Sequence, residues 1–160
     1  MTTPSSHQIP TQVDNFMSST SALHEAQFET GVYKKRPLQI VRGLGALLED
    51  AEGRQYIDCA AGIGVANIGH AHPRVVEALA RQAARLMTCP ELFYNDTRAA
   101  YLKRLVAALP AGLDRVFLCN SGTEAVEAAL KFARLATGRT EIVAALRGFH
   151  GRTMGALSAT

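Results

Sequence analysis

A short junction, CNSGTEA at residues 119–125, has the residue types and the spacing that could bind a phosphate group. It stands between an apolar run that predicts a strand and a periodic run that predicts a helix. Gly122 lets the backbone turn tightly, and the amides of Gly122 and Thr123 would be unpaired donors in the first turn of that helix. Because a helix N-terminus carries about half a positive charge, and because Ser121 and Thr123 add hydroxyls, the junction predicts an anion site.

The same junction also fits a purely structural role. Ser121 and Glu124 have the spacing S-x-x-E of a capping box, in which two side chains satisfy the first amides of a helix. The patterns G-x-x-x-x-G-K and G-x-G-x-x-G are both absent, so the nucleotide loops built on them are excluded. On the junction alone, phosphate binding and simple capping both stay open.

A second group of candidate residues lies in the segment RGFHGRT at 147–153, directly after another apolar run. The ring of Phe149 stands between glycines and suits stacking on a flat heterocycle, although core packing is the plain alternative. The guanidinium of Arg152 suits a bidentate grip on a carboxylate, although a surface ion pair is the plain alternative. Ligands bind at the carboxyl ends of parallel strands, so we expect this segment and the junction to open on the same side of a sheet.

The elements that must position these residues are predicted from hydrophobic periodicity, turn residues and caps. Strands at 38–41, 46–48 and 55–58 predict a small antiparallel meander. Strands at 115–120 and 141–146 flank a helix and predict a βαβ unit with a parallel pair, so the fold class is α/β. Further helices are predicted at 22–33, from Pro73 onwards, from Asn95 or Asp96 to just before Pro110, and at 123–137, where Gly138 ends the helix.

The composition is that of a globular protein and limits the classes of partner. Apolar residues make up 48% of the chain and charged residues 19%, and glycines interrupt the uncharged run 59–71, so no membrane-spanning segment is predicted. A net charge of +3 is spread thinly, which predicts no nucleic-acid partner. His70 and His72 have no carboxylate or cysteine at ligand spacing, so no metal site is predicted. The cysteines form no C-x-x-C pair and no leader is evident, so we expect reduced thiols and a cytoplasmic location.

Four motifs resemble, in order and in spacing, the N-terminal part of the class III aminotransferases. They are YID at 56–58, GIGV at 62–65 with GHAHP at 69–73, NSGTEA at 120–125, and GFHGRT at 148–153. The resemblance begins near residue 24 and implies the fold-type I fold of enzymes that use pyridoxal phosphate. The sequence of residues 147–155 is similar to that of the acetylornithine aminotransferase branch and of members that act on carrier-protein-linked aminoadipate semialdehyde.

The resemblance implies a cofactor site and a division of the chain. Ser121, Gly122 and Thr123 would hold the cofactor phosphate, while Phe149 would stack on the pyridine ring with His150 beside it. The division would be a flexible tail at 1–21, a small-domain segment at 22–60 and an incomplete large cofactor-binding domain at 61–160.

The resemblance also implies a substrate site and the lack of a catalytic residue in this chain. Arg152 would pair with the substrate carboxylate, and Ile63 would line the substrate pocket. The Schiff-base lysine of the family would lie beyond Thr160. Lys131 does not replace it, because its spacing from Glu127 predicts an ordinary helix-surface ion pair.

The expected function is therefore that of an aminotransferase. It would move an amino group between the ω-amino group of acetylornithine or a carrier-linked lysine precursor and 2-oxoglutarate or glutamate, in arginine or lysine biosynthesis. The family further implies a homodimer. The alternative is that these 160 residues form a non-catalytic phosphate-ligand-binding or assembly fragment.

Overall fold

The computed structural model describes residues 19–160 and contains two compact units, Met1–Thr88 and Cys89–Thr160. The predicted tail, 1–21, lies outside the described residues except for its last three, which begin the first helix. The described part of the first unit consists of α1 (Thr20–Phe28), β1 (Ile40–Leu44), β2 (Leu47–Asp50), β3 (Gln55–Ile57), α2 (Ala61–Gly64) and α3 (Pro73–Arg85). The second unit consists of α4 (Asp96–Ala108), α5 (Gly122–Thr137) and α6 (Met154–Ser158).

The predicted antiparallel meander is confirmed. The strands pair in the order β1-β2-β3, with Leu44 opposite Leu47 and Leu47 opposite Ile57. The first hairpin turns at Gly45, whose positive φ of 58° is a conformation that glycine adopts at little cost. The strand bounds differ from the predicted ones by up to three residues, because ladder pairing rather than apolar character sets the ends of a strand.

The turn between β2 and β3 is held by the buried carboxylate of Asp50, which is 1% exposed. Its Oδ1 atom accepts hydrogen bonds from the backbone amides of Glu52 and Arg54, at 3.0 and 2.9 Å. Its Oδ2 atom accepts from the Nε of Arg54 and from the hydroxyl of Tyr56, both at 2.7 Å. Burial raises the pKa of Asp50, but the hydrogen bonds from Tyr56 and Arg54 outweigh it and bring the pKa to about 2.

A second carboxylate, Asp58, fixes the chain after β3. Its Oδ2 atom lies 2.7 Å from the Nε2 of His70, and its Oδ1 atom accepts from the amides of Ala60 and Ala61 at 2.9 and 2.8 Å. The hydrogen bond from His70 and those from the two amides lower the pKa of Asp58. His70 also exchanges two backbone hydrogen bonds with Gly45, at 3.0 and 2.8 Å, so the segment is tied back to the meander.

The long helices begin and end close to the predicted residues. Pro73 opens α3, the side chain of Asn95 caps α4 by accepting from the Arg98 amide at 2.8 Å, and Gly138 ends α5 with a φ of 67°. The first helix was predicted at 22–33 but ends at Phe28. None of the described helices is long and apolar enough to cross a membrane.

The strands predicted at 115–120 and 141–146 are wrong for this structure. Among residues 19–160, the meander is the one sheet, and neither segment pairs with another strand. Several of their apolar side chains are exposed, Phe117 by 61%, Val143 by 98% and Leu146 by 96%. The physical reason is that a parallel pair requires neighbouring strands and helices on both faces, and the described residues supply no such cover.

We expect Asp50→Asn to lower the melting temperature by several degrees at neutral pH, because the amide cannot accept all four hydrogen bonds. The folded pKa of about 2 lies below the ordinary aspartate pKa of 3.8, so the stabilisation is full above about pH 4 and is lost as the pH falls towards 2. The wild-type melting temperature, followed by circular dichroism, should therefore fall over this window more steeply than that of the variant. Glu49→Gln on the same strand is the control, and equal pH profiles for Asp50→Asn and wild type would contradict the role of Asp50.

Candidate functional site

The junction between 115–120 and α5 has the geometry of an anion-binding helix end. Ser121 is the N-cap residue of α5, and its Oγ accepts from the amide of Glu124 at 3.3 Å, so its own hydroxyl proton is left for another acceptor. The carboxylate of Glu124 in turn accepts from the amide of Asn120 at 2.5 Å. Within the described chain, the amides of Gly122 and Thr123 donate to no protein acceptor. The predicted capping box of Ser121 and Glu124 is therefore present. It leaves the N–H donors of Gly122 and Thr123 at the positive end of a helix of 16 residues.

A cavity of about 650 Å³ lies between this helix end and the segment 149–153. The junction and the segment line one cavity. The sheet edge on which they were expected to open is absent from residues 19–160, so no strand pair brings them together. Ser121, the N-cap residue of α5, does not line the cavity but is the neighbour of Gly122 in the chain. The predicted site residues that line the cavity are Gly122, Thr123, Phe149, His150 and Arg152.

The ring of Phe149 is available for stacking. It is 69% exposed, which excludes a core-packing role in this structure. The guanidinium carbon of Arg152 lies 5.5 Å from the centroid of the ring, within the range of a cation–π contact. The backbone amide of His150 donates to the hydroxyl of Thr160 at 3.2 Å, which fixes the chain beside the ring.

Gly151 lies against the first turn of α5. It is buried, and its φ of 132° is one that residues with a Cβ rarely adopt. A Cβ atom built there would lie 2.1 Å from the Oγ1 of Thr123 and 3.1 Å from the Cβ of Ala156. The absence of a side chain therefore allows the segment to lie directly on the first turn of α5.

Glu127, beside this cavity, is a residue that the sequence reasoning missed. Its Oε1 atom accepts from the hydroxyl of Thr153 at 2.6 Å and from the amides of Gly155 and Ala156 at 2.9 and 3.2 Å. The Thr153 hydroxyl and the amides lower the pKa of Glu127, to which the charge of Lys131 contributes less. The predicted surface pair with Lys131 is therefore a minor interaction. The signal that could have found Glu127 is its position four residues after Thr123, on the same face of α5.

Ile63 lies in the first unit, on the short turn α2. It is 96% exposed, and its φ and ψ of 63° and 49° are left-handed. Such a backbone is strained for a β-branched residue.

Comparison with known proteins identifies relatives over most of the chain. A family model described as aminotransferase class-III matches residues 30–160. The [LysW]-aminoadipate semialdehyde transaminase of Deinococcus radiodurans is 57% identical over 136 residues, which cover 85% of this chain and 32% of that protein. The acetylornithine aminotransferase of Methanopyrus kandleri is 50% identical over 134 residues, which cover 84% of this chain and 34% of that protein.

A solved structure shows the same fold. The ornithine aminotransferase of Toxoplasma gondii, described with partial occupancy of PLP at its active site, superposes with a TM-score of 0.76 at 33% identity. The match covers 92% of this chain and 35% of that one. The predicted fold class, the N-terminal part of the fold-type I α/β fold, is confirmed by this similarity.

We expect Gly151→Ala to weaken, by about tenfold or more, the pyridoxal phosphate binding that the sequence analysis predicts. Backbone strain alone costs about 1–3 kcal/mol, and the Cβ would also collide with Thr123. Isothermal titration calorimetry measures this affinity. Gly112→Ala is the matched control, because Gly112 also has a positive φ, 92°, but has open space around it. An unchanged affinity for Gly151→Ala would show that the contact with α5 does not shape the site.

Proposed function

Because the chain belongs to the class III aminotransferases, we propose that it forms the N-terminal part of a transaminase that uses pyridoxal phosphate. The chain spans about a third of the length of the curated relatives it matches. The observation that carries the proposal is the cavity in which two amides without a protein acceptor, an exposed aromatic ring and a guanidinium face the same space. The test uses the protein encoded by the complete reading frame that contains these residues, called the complete protein below.

The residues around the cavity fit pyridoxal phosphate. A phosphate dianion suits the amides of Gly122 and Thr123, the hydroxyl of Ser121 and the positive end of α5. A volume of about 650 Å³ lies in the range of small-molecule sites, and the exposed ring of Phe149 offers a face for the pyridine. When bound, pyridoxal phosphate supplies the electron sink for chemistry at the amino-bearing carbon.

The residues of this chain bind and orient the reactants. Arg152 would hold the carboxylate of the amino-acid substrate through its planar fork, and its stack on Phe149 would fix the direction of that fork. Ile63 would line the substrate pocket. A fixed orientation matters because a substrate held in the reactive geometry has already lost most of the entropy that the reaction requires.

The proposed substrates follow from the two similar relatives. Their names are those of an acetylornithine aminotransferase and of a transaminase for aminoadipate semialdehyde linked to LysW. We propose an ω-amino substrate of this kind, either free or attached to a carrier protein, with glutamate and 2-oxoglutarate as the exchanging pair. A cytoplasmic homodimer completes the proposal. The complete protein should convert glutamate to 2-oxoglutarate only when pyridoxal phosphate and an acceptor semialdehyde are present.

One observation favours the alternative, a non-catalytic phosphate-binding fragment, for the 160 residues by themselves. The chain has four lysines, Lys34, Lys35, Lys103 and Lys131, and all are exposed. Lys35 also pairs with Glu29 at 2.6 Å. A lysine that forms an imine at neutral pH requires a desolvated or electropositive setting, which an exposed surface does not provide.

We therefore expect the purified 160-residue chain to show no transamination with glutamate and pyridoxal phosphate, although it should bind phosphate compounds. A coupled assay for 2-oxoglutarate measures turnover, with the complete protein as the positive control. Measurable turnover by the 160-residue chain would sink this prediction and point to one of its four lysines.

In the complete protein, we expect Arg152→Ala to lower kcat/KM for the amino-acid substrate by at least about tenfold. A charge-assisted hydrogen bond is worth about 1.5–3 kcal/mol, and about 1.4 kcal/mol corresponds to one decade. Arg152→Lys should restore only part of the loss, because an ammonium group cannot form the planar fork. Steady-state kinetics measure kcat/KM, and calorimetry should show a nearly unchanged affinity for pyridoxal phosphate.

Arg139→Ala is the matched control for Arg152, because it removes an exposed guanidinium elsewhere in the second unit. Its kinetics should equal those of the wild type. If Arg152→Ala keeps its kinetics and only melts at a lower temperature, Arg152 has a structural role and the assignment to the substrate is wrong.

A further inference from the structure

Three side chains form a directed row of hydrogen bonds beside the proposed phosphate site. The hydroxyl oxygen of Thr153 lies 2.6 Å from Glu127 Oε1 and 2.9 Å from the hydroxyl oxygen of Thr123. An ionised carboxylate only accepts hydrogen bonds, so the single proton of the Thr153 hydroxyl points to Glu127. Thr123 must then donate its own proton to Thr153. The direction of the whole row is set by Glu127.

This direction has a consequence for how a phosphate would be held. The hydroxyl proton of Thr123 is donated to Thr153. Thr123 can therefore offer an anion its backbone amide but not its hydroxyl proton. The donors that remain for the phosphate are the amides of Gly122 and Thr123 and the hydroxyl of Ser121. The side chain of Thr123 then serves to join the helix end to the segment that follows.

The same carboxylate also fixes the segment that bears the ring and the guanidinium. Its Oε1 atom accepts from the amides of Gly155 and Ala156, the latter being fully buried. A Cβ on Gly155 would lie 2.4 Å from Glu127 Oε2, so the backbone and the carboxylate are in close contact. The chain at Thr153 and directly after it is therefore held by one acceptor on α5.

We propose that Glu127 is a positioning residue of the transaminase site: acting through Thr153, it fixes the side chain of Thr123 and holds the Phe149–Arg152 segment against the phosphate-binding end of α5. The inference rests on the proposed function. Glu127 itself lines a different cavity, which Lys131 of α5 and Met154 of α6 also line, and so it acts through other residues. Loss of its acceptor oxygen should change how the cofactor and the substrate carboxylate are held together, not only stability.

The test compares Glu127→Ala, Thr153→Val and Thr153→Ser in the complete protein. Glu127→Ala and Thr153→Val should each weaken the binding of pyridoxal phosphate by about tenfold and raise KM for glutamate more than they lower kcat. In Glu127→Ala the Thr153 hydroxyl and the amides of Gly155 and Ala156 lose their acceptor, and in Thr153→Val the Thr123 hydroxyl loses its acceptor. Thr153→Ser keeps the hydroxyl and should remain within about threefold of wild type. The double variant should lose little more than either single one, because both changes break the same row.

Two measurements keep the inference separate from a general loss of stability. Deuterium exchange should accelerate at the amides of Gly155 and Ala156 in Glu127→Ala, and calorimetry gives the affinity for pyridoxal phosphate without turnover. Glu141→Ala is the control, since it removes an equally charged, exposed side chain from the same unit. It should change neither quantity.

The outcomes separate the inference from the function on which it rests. If the wild-type complete protein binds no pyridoxal phosphate, the proposed function fails and the inference fails with it. If the wild type binds it and Glu127→Ala and Thr153→Val bind it equally well, only the inference is overturned. If Thr153→Ser is as weak as Thr153→Val, the hydroxyl row is not the cause, which also overturns the inference.

Discussion

The carboxylate of Glu127 is the acceptor on which the geometry of the candidate site depends. Its Oε1 atom receives three donors from residues 26 to 29 positions later in the chain, a long sequence separation for so small an area of contact. Because the segment at 149–153 lies in no sheet, its position relative to α5 comes from this acceptor and from the close contact at Gly151. A few polar contacts thus bring a helix end, a ring and a guanidinium to one cavity.

In the first unit, two carboxylates likewise accept several hydrogen bonds and so fix the chain. Asp50 holds the turn of the second hairpin by accepting from two backbone amides and two side chains. Asp58 holds the chain after β3 by accepting from two backbone amides and from the ring of His70. Short carboxylates are suited to this task because they reach amides two to four residues away and replace the ladder where it ends. The scaffold is therefore stabilised at its turns as well as in its strands.

Local patterns predicted the parts of the fold that local interactions determine. The caps at Asn95 and Ser121 and the left-handed residue at Gly138 follow from residue type alone, and the structure has them. The strands at 115–120 and 141–146 failed because a parallel strand depends on neighbours that a local pattern does not reveal. Glu127 was missed for a related reason, because the i, i+4 rule indicated Lys131 while donors distant in sequence were the stronger partners.

In the turn α2, the backbone conformation is restricted while the side chain of Ile63 is exposed to solvent. Ala61, Gly62, Ile63 and Gly64 all have positive φ, so this turn has the hand opposite to that of an ordinary helix. The left-handed backbone restricts which residue types fit there, whereas the side chain at position 63 is almost wholly exposed and makes few contacts. Evolution can therefore vary the size and polarity of that side chain without repacking anything, provided that the replacement tolerates the inverted backbone.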